Sequence, residues 1–138
     1  MNEKWLSDKT VQKWFSEIGE RTKDNVIQPF SEWLKFIGLT PTEQIEKRIQ
    51  DLQSPNPQTR RFFEDKLIEW KNTLVKEVDE EGKRKYVVSA IKSKVQRVMS
   101  FFSHNNVRLM FARGQLDVEP AEREKAKSSG FRKTLKSE

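Results

Sequence analysis

The sequence predicts an all-α protein, a compact bundle of four to five main helices. Apolar side chains recur at spacings of three and four residues along several stretches, which is the period of an amphipathic helix. Typical helix-start and helix-stop residues flank these stretches, and no stretch alternates with the period of two expected for a strand. At 138 residues, the chain has the length of about one domain.

Composition excludes several function classes. Hydrophobic residues make up 34% of the chain and charged residues 35%, which predicts a small core under a highly charged surface. There is no cysteine for disulfides or thiolate chemistry, and only one histidine (His104) and one tyrosine (Tyr86). Gly-rich phosphate loops, a membrane-length apolar run and a signal-peptide pattern are missing. We therefore expect a cytoplasmic binding protein with no catalytic residues, cofactor, metal, membrane or small-molecule substrate.

Capping residues predict where the first two helices begin. Ser7 and Asp8 offer an N-cap for the first helix, and Thr22 is predicted to cap a second helix that ends at Gly38. The apolar residues of these two helices are Val11, Trp14, Phe15, Ile18, Val26, Phe30, Trp33, Leu34 and Ile37. Their spacing places one apolar stripe on each helix, which predicts that the two helices pack on a common core.

Two cap-and-proline signals predict the next helices. Thr40-Pro41-Thr42-Glu43 is a capping box with proline at the first helical position, and Asn56-Pro57 repeats the device. The first of these helices is expected to bury the seam Ile45, Ile49 and Leu52. The second is expected to be long, with an apolar face that consists of Phe63, Leu67, Trp70, Leu74 and Val78. A turn over residues 79–83 follows.

The last strong helix is predicted over residues 86–103, with Tyr86 and His104 in structural positions at its two ends. Its expected buried side consists of Val88, Ile91, Val95, Val98, Met99 and Phe102. The opposite side carries small hydroxyls and long cations. Residues 107–111 could form a short packed turn or helix, and from Val118 onward the composition predicts a solvated linker or tail.

Charge is distributed unevenly along the chain. Residues 1–82 hold 13 Lys/Arg and 16 Asp/Glu, whereas residues 83–116 hold eight Lys/Arg and no acidic residue. A basic block of this kind attracts polyanions, because each cation near a phosphate releases a condensed counterion. The predicted DNA contacts from this block are Lys83, Arg84, Lys85, Ser89, Lys92, Ser93, Lys94, Gln96 and Arg97.

Two stretches resemble the N-terminal core-binding domain of tyrosine recombinases and phage-type integrases. Thr22-Lys23-Asp24-Asn25-Val26, followed by Phe30-Ser31-Glu32-Trp33-Leu34, is similar to the opening of that domain. The run Val98-Met99-Ser100-Phe101-Phe102-Ser103-His104-Asn105-Asn106-Val107 is similar to its last main helix with the paired Phe. The resemblance covers roughly residues 5–115. Its motifs are helix-packing patterns, not catalytic signatures.

The resemblance implies a SAM-like helical domain that grips duplex DNA during site-specific recombination and DNA integration, with other recombinase protomers as further partners. It adds Thr22, Lys23 and Asn25, at the start of the second helix, to the predicted DNA contacts. The catalytic half of such proteins needs an H-x-x-R pair, whereas here Val107 stands three places after His104.

The expected organisation is therefore a DNA-binding domain over residues 1–117. Residues 118–138 resemble the lead into a missing catalytic domain. A protein–protein adaptor and an RNA-binding domain that use the same basic residues are the alternatives.

Overall fold

The computed structural model describes residues 4–120 of the chain. It contains a 3-10 turn (Lys4–Ser7) and the helices α1 (Lys9–Ser16), α2 (Glu20–Ile37), α3 (Pro41–Leu52), α4 (Pro57–Arg60), α5 (Phe62–Lys76) and α6 (Val88–His104). Within residues 4–120 there is no β-strand, only an isolated antiparallel bridge between Val78 and Arg84. The all-α prediction is confirmed. No helix in this part of the chain is long and apolar enough to span a membrane.

The centre of the bundle is the antiparallel pair of α2 and α6. The ring of Phe101, near the end of α6, lies 4.8 Å from the ring of Phe30. Lys94, two turns earlier on α6, contacts Glu32, which lies further along α2. The start of α2 therefore lies beside the end of α6, and the end of α2 lies beside the start of α6.

An aromatic core connects this pair to its neighbours. Trp14 of α1 is buried against Phe30 at 5.0 Å between ring centroids, and Phe63 of α5 lies 5.1 Å from Phe102. The fully buried core of α6 consists of Ile91, Val98, Phe101 and Phe102. The apolar face predicted for the last helix is therefore confirmed, and it extends to Phe101 because α1 and α2 cover that flank.

The local signals at three helix ends are confirmed. The Asp8 carboxylate accepts a hydrogen bond from the backbone N–H of Thr10 at the start of α1. Thr40 and Glu43 form the predicted capping box of α3. Gly38 ends α2 at φ 72°, a left-handed conformation that favours glycine because it has no Cβ.

The cap predicted for the second helix is wrong. α2 begins at Glu20, with Gly19 as its N-cap, so Thr22 lies inside the first helical turn and caps nothing. The Gly19 carbonyl accepts the first helical hydrogen bond, from the N–H of Lys23 at 2.9 Å. Glycine is among the residues preferred at N-caps, although the extended backbone of Gly19 (φ −76°, ψ 163°) is open to any residue.

The seam predicted for α3 is also wrong. Ile45 is buried, but the side chains of Ile49 and Leu52 are 46% and 43% exposed. The face of α3 that points inward instead buries the polar residues Gln44, Arg48 and Asp51. The spacing of the apolar residues predicts that their side of α3 is buried. In the structure, the buried side is the neighbouring one, which carries polar residues.

A buried ion pair explains why α3 turns this face inward. The Arg48 guanidinium forms two hydrogen bonds of 2.8 and 2.9 Å with the Glu64 carboxylate, and their side chains are 2% and 4% exposed. The same guanidinium donates to the carbonyls of Arg60, Val107 and Arg108. The Arg60 carbonyl points at Arg48, at the break between α4 and α5. The single long helix predicted after Pro57 is therefore two helices.

After α6, residues 107–119 return along α6 as a non-helical segment with a turn at residues 113–116, here called the strap. Three basic side chains donate to strap carbonyls: Arg48 to Val107, Lys71 to Asp117 at 2.8 Å, and Arg84 to Glu119. Val107, Leu109 and Val118 are buried in the core. The predicted packing after α6 is confirmed, but the segment is not helical. The expected solvated linker is wrong at Val118, and its residues 121–138 lie outside the described part.

Candidate nucleic-acid interface

The solvent side of α6 carries polar and basic residues at helical spacing. Ser89, Lys92 and Gln96 are exposed at steps of three and four residues, so they form one stripe away from the core. Ser93 and Arg97 flank the stripe and are partly buried. This arrangement agrees with the polar side that the sequence predicts, and the short side chain of Ser89 leaves the helix backbone approachable.

Lys94 does not belong to this exposed stripe. Its ammonium lies 2.9 Å from the Glu32 carboxylate, and its side chain is only 13% exposed. The same ammonium lies 4.8 Å from the centre of the Tyr86 ring. The position of residue 94 on the flank next to α2 explains this pairing. Lys94 therefore stabilises the contact between α2 and α6 and is not a free cation.

The turn before α6 presents Lys83 to solvent. The Asp79 carboxylate accepts hydrogen bonds from the backbone N–H groups of Glu81 and Lys83 at 2.9 and 3.0 Å. Gly82 takes φ 79° at the point where the chain reverses. The turn predicted over residues 79–83 is confirmed, and it places the exposed Lys83 ahead of the first turn of α6.

Arg84 and Lys85 differ in their surroundings. Arg84 is partly buried and donates to the carbonyl of Glu119. Lys85 is exposed, with its ammonium 3.8 Å from the Glu77 carboxylate and 5.3 Å from the centre of the Tyr86 ring. The phenol oxygen of Tyr86, through its electrostatic interaction and hydrogen bond with the ammonium, and the Glu77 carboxylate raise the pKa of Lys85 above its ordinary 10.5.

The structure does not bring all predicted contacts together. Thr22 and Lys23 are partly buried in the first turn of α2, and Asn25 is exposed there. Because α2 and α6 are antiparallel, this turn lies beside the end of α6, whereas residues 83–85 precede its start. The 17 residues of α6 span about 25 Å at 1.5 Å per residue. Lys23 also pairs with Glu20 at 2.9 Å.

Several cations of the acid-free stretch have no acidic partner. Among the predicted contacts, Lys83, Lys92 and Arg97 form no ion pair with any carboxylate of residues 4–120. Arg108 and Arg113 on the strap are likewise exposed and without an ion pair in that range. Arg108 and Arg113 are not among the contacts predicted from sequence, although both lie in the stretch 83–116 that carries no acidic residue.

Tyr86 and His104 hold structural positions. The Tyr86 ring packs against Lys85 and Lys94 just before α6 begins, and His104 Nδ1 contacts the Glu17 carboxylate where α6 ends. In the described range no cluster of three or more His, Cys, Asp or Glu side chains could hold a metal ion. Both residues thus lie at the helix ends where the sequence places them.

Comparison with known proteins identifies no relative. No protein-family model, curated protein or solved structure matches this chain.

Proposed function

We propose that this chain binds duplex DNA, without chemistry of its own, through a basic face on α6. The basic face consists of Ser89, Lys92 and Gln96, with Lys83 and Arg97 beside them. One observation supports this most: the three cations of the face lie within the stretch 83–116, which carries no acidic residue, and none of them has a carboxylate partner within residues 4–120.

Unpaired surface cations are suited to phosphates. A cation already paired with a carboxylate must give up that partner before it can bind a phosphate, whereas an unpaired one exchanges only water and counterions. The major groove of B-DNA is about 12 Å wide, which admits a helix of about 10–12 Å diameter. Phosphate contacts from Lys83, Lys92 and Arg97 would position α6, and Ser89 and Gln96 would face base edges.

The finer proposal is that the chain is a core-binding domain of the tyrosine recombinase type. Its support is the resemblance carried by the residues of the second helix and the last helix, together with the all-α fold. A coding sequence after Glu138 that contains an Arg, a Lys, an H-x-x-R pair and a Tyr in that order would support it. A different downstream domain would contradict the recombinase assignment and leave DNA binding to be judged separately.

The test of DNA binding is a salt titration of duplex affinity, followed by fluorescence anisotropy. Changing Lys83, Lys92 and Arg97 to Ala should weaken binding by tens-fold or more. It should also flatten the slope of log K against log salt by about 2–3 units, because each phosphate contact contributes about 0.9. The variant should remain folded, since these side chains lie outside the aromatic core.

A matched control removes the same charge elsewhere. Lys9, Lys35 and Lys76 are exposed and form no ion pair within residues 4–120. Changing these three to Ala should weaken binding far less, and Lys94→Ala should leave the salt slope nearly unchanged because its ammonium is already paired. Equal losses from both triple variants would contradict a specific basic face. Stronger binding of single-stranded RNA or of an acidic protein than of duplex DNA would contradict the choice of partner.

A further inference from the structure

A narrow groove runs between α6 and the strap, next to the basic face. Its apolar floor and walls consist of Val95, Met99, Leu116 and Val118. Its volume is about 240 Å³, below the roughly 300–1,000 Å³ of pockets that enclose a whole small molecule. The groove therefore suits one flat fragment of a larger partner that is held outside it.

Three polar side chains form the rim of the groove, and none of them has a side-chain partner. Lys92 and Gln96 lie on the α6 side and Asp117 on the strap side, and all three are exposed. Lys92 and Asp117 form no ion pair with each other, nor with any other residue in the range 4–120. The rim thus offers a cation, an amide and a carboxylate to whatever occupies the groove.

The carboxylate of Asp117 is carried on a fixed piece of backbone. The buried ammonium of Lys71 donates to the Asp117 carbonyl at 2.8 Å, and the Asp117 N–H donates to the Gly114 carbonyl at 3.2 Å. Gly114 has φ 86°, so the turn that leads into Asp117 has a conformation that favours glycine. These contacts hold the backbone of Asp117 beside the groove, and its exposed side chain is available to a ligand there.

From this geometry we propose that the groove binds one unpaired cytosine or adenine, whose amino group lies where guanine and thymine carry a carbonyl oxygen, next to the duplex on the basic face. This inference rests on the proposed DNA binding. A base has two apolar faces for the groove walls and a polar edge for the rim, and its phosphate lies within reach of a neighbouring cation such as Lys92. A carboxylate repels phosphates, so Asp117 is suited to a base edge and not to the backbone.

The rim also predicts which base is preferred. A carboxylate accepts hydrogen bonds from the amino groups of cytosine or adenine, and an amide such as that of Gln96 pairs well with adenine. Thymine presents a carbonyl oxygen at the corresponding edge, which the Asp117 carboxylate disfavours. The groove should therefore discriminate cytosine and adenine from thymine.

The experiment compares duplexes that differ by one unpaired nucleotide. Anisotropy titrations would use a fully paired duplex and the same duplex with a single bulged C, A, T or abasic site. We expect the bulged C and A duplexes to bind about tenfold more tightly than the paired duplex, the size of one good base contact. The bulged T and abasic duplexes, which also interrupt the duplex with one extra nucleotide unit, should gain less than about twofold.

Two substitutions in the groove and one control on α3 test whether the base preference arises in the groove. Asp117→Asn should reduce the preference for C over T to less than about twofold, because the amide both donates and accepts. Gln96→Leu should reduce the preference for A. Glu46→Gln, which removes an exposed carboxylate from α3, should leave both preferences intact.

The outcomes separate this inference from the proposed function. Tight binding of the paired duplex with equal affinity for all bulges would overturn the base-binding groove and leave DNA binding in place. Equal gains for all four bulged duplexes would also overturn it, because flexibility would then explain them. No measurable binding of any duplex would overturn the proposed function itself.

Discussion

α3 and α6 are both amphipathic by sequence, yet only α6 buries the stripe that its sequence predicts. On α6 the residues at helical spacing, such as Ile91 and Val98, are fully buried. On α3 the corresponding residues Ile49 and Leu52 are nearly half exposed, and Arg48 takes the buried position. The two helices differ in what they pack against.

The partner surface of each helix explains the difference. α6 packs on aromatic and aliphatic side chains of α1, α2 and α5, so apolar residues fit against it. α3 packs partly against backbone, since Arg48 on its buried face donates to the carbonyls of Val107 and Arg108, and partly against Trp33, whose indole N–H donates to the buried Gln44. Buried carbonyls need donors, and an arginine supplies five N–H groups in a fixed geometry. A helix that covers backbone therefore buries polar residues, which periodicity alone does not reveal.

The largest expected effect comes from breaking the buried ion pair of α3. Arg48→Met leaves the Glu64 carboxylate buried without its partner and removes the donors to three carbonyls. Such a change should lower the free energy of unfolding by about 3–5 kcal/mol, measured by urea denaturation. Lys35→Met on α2 is the control. Its side chain is exposed and forms no ion pair within residues 4–120, so its loss should change the free energy of unfolding by no more than about 0.5 kcal/mol.

A loss for Arg48→Met no larger than that for Lys35→Met would show that the hydrogen bonds of Arg48 do not stabilise the packing of the strap on α3. The double change Arg48→Met with Glu64→Leu should recover part of the stability, because no unpaired charge then remains buried.

The same substitution, Ile to Ala, is expected to have different effects on α6 and on α3. Ile91→Ala on α6 removes a fully buried side chain and should cost about 2–5 kcal/mol in the free energy of unfolding. Ile49→Ala on α3 removes a side chain that is 46% exposed and should change stability by only about 0.5 kcal/mol. Thermal and urea unfolding of the two variants would check this. Similar losses at both positions would mean that α3 buries the apolar seam after all.

The smallest expected effect concerns the carboxylate that joins α1 to α3. Burial raises the pKa of Asp8, but hydrogen bonds from Thr10 and Thr42 outweigh it, so the pKa lies below its ordinary 3.8. A carboxyl whose pKa is lowered by folding stabilises the fold above the pKa of the unfolded chain. This stabilisation is lost as the pH falls through the folded value, below about pH 4.

Asp8→Ala should therefore lower the free energy of unfolding by about 1–2 kcal/mol at neutral pH, the usual effect of losing an N-cap. The difference from the unchanged protein should shrink below about pH 4. Urea titrations at a series of pH values would measure it. Asp8→Asn, which keeps a capping oxygen but no charge, separates the cap from the charge. A difference that stays constant down to the lowest pH would rule out the ionised carboxylate as its source.

Local signals made the helix ends predictable from sequence. The capping box at Thr40 and the left-handed glycine at residue 38 involve atoms within a few residues of one another. The backbone there has few alternatives. The apolar stripe of α6 was predictable for a related reason, since it lies against side chains of the same apolar kind.

The basic block was equally visible in the sequence, because charge is a property of composition. Which of its cations remain unpaired was decided by tertiary structure, because it depends on residues distant in the chain. Lys94 meets Glu32 on another helix, whereas Lys92, two positions earlier, faces outward.

The sequence by itself determined the all-α class, the end of α2, the start of α3 and the location of the positive charge. Tertiary structure decided the buried face of α3, the break before α5 and the groove beside Asp117. The buried face of α3 and the groove depend on the strap, whose backbone carbonyls accept hydrogen bonds from Arg48 and Lys71 across more than 40 residues of sequence. The spacing of apolar residues predicts which side of a helix faces the core and which side faces water. It contains no information about a distant backbone segment that needs hydrogen-bond donors.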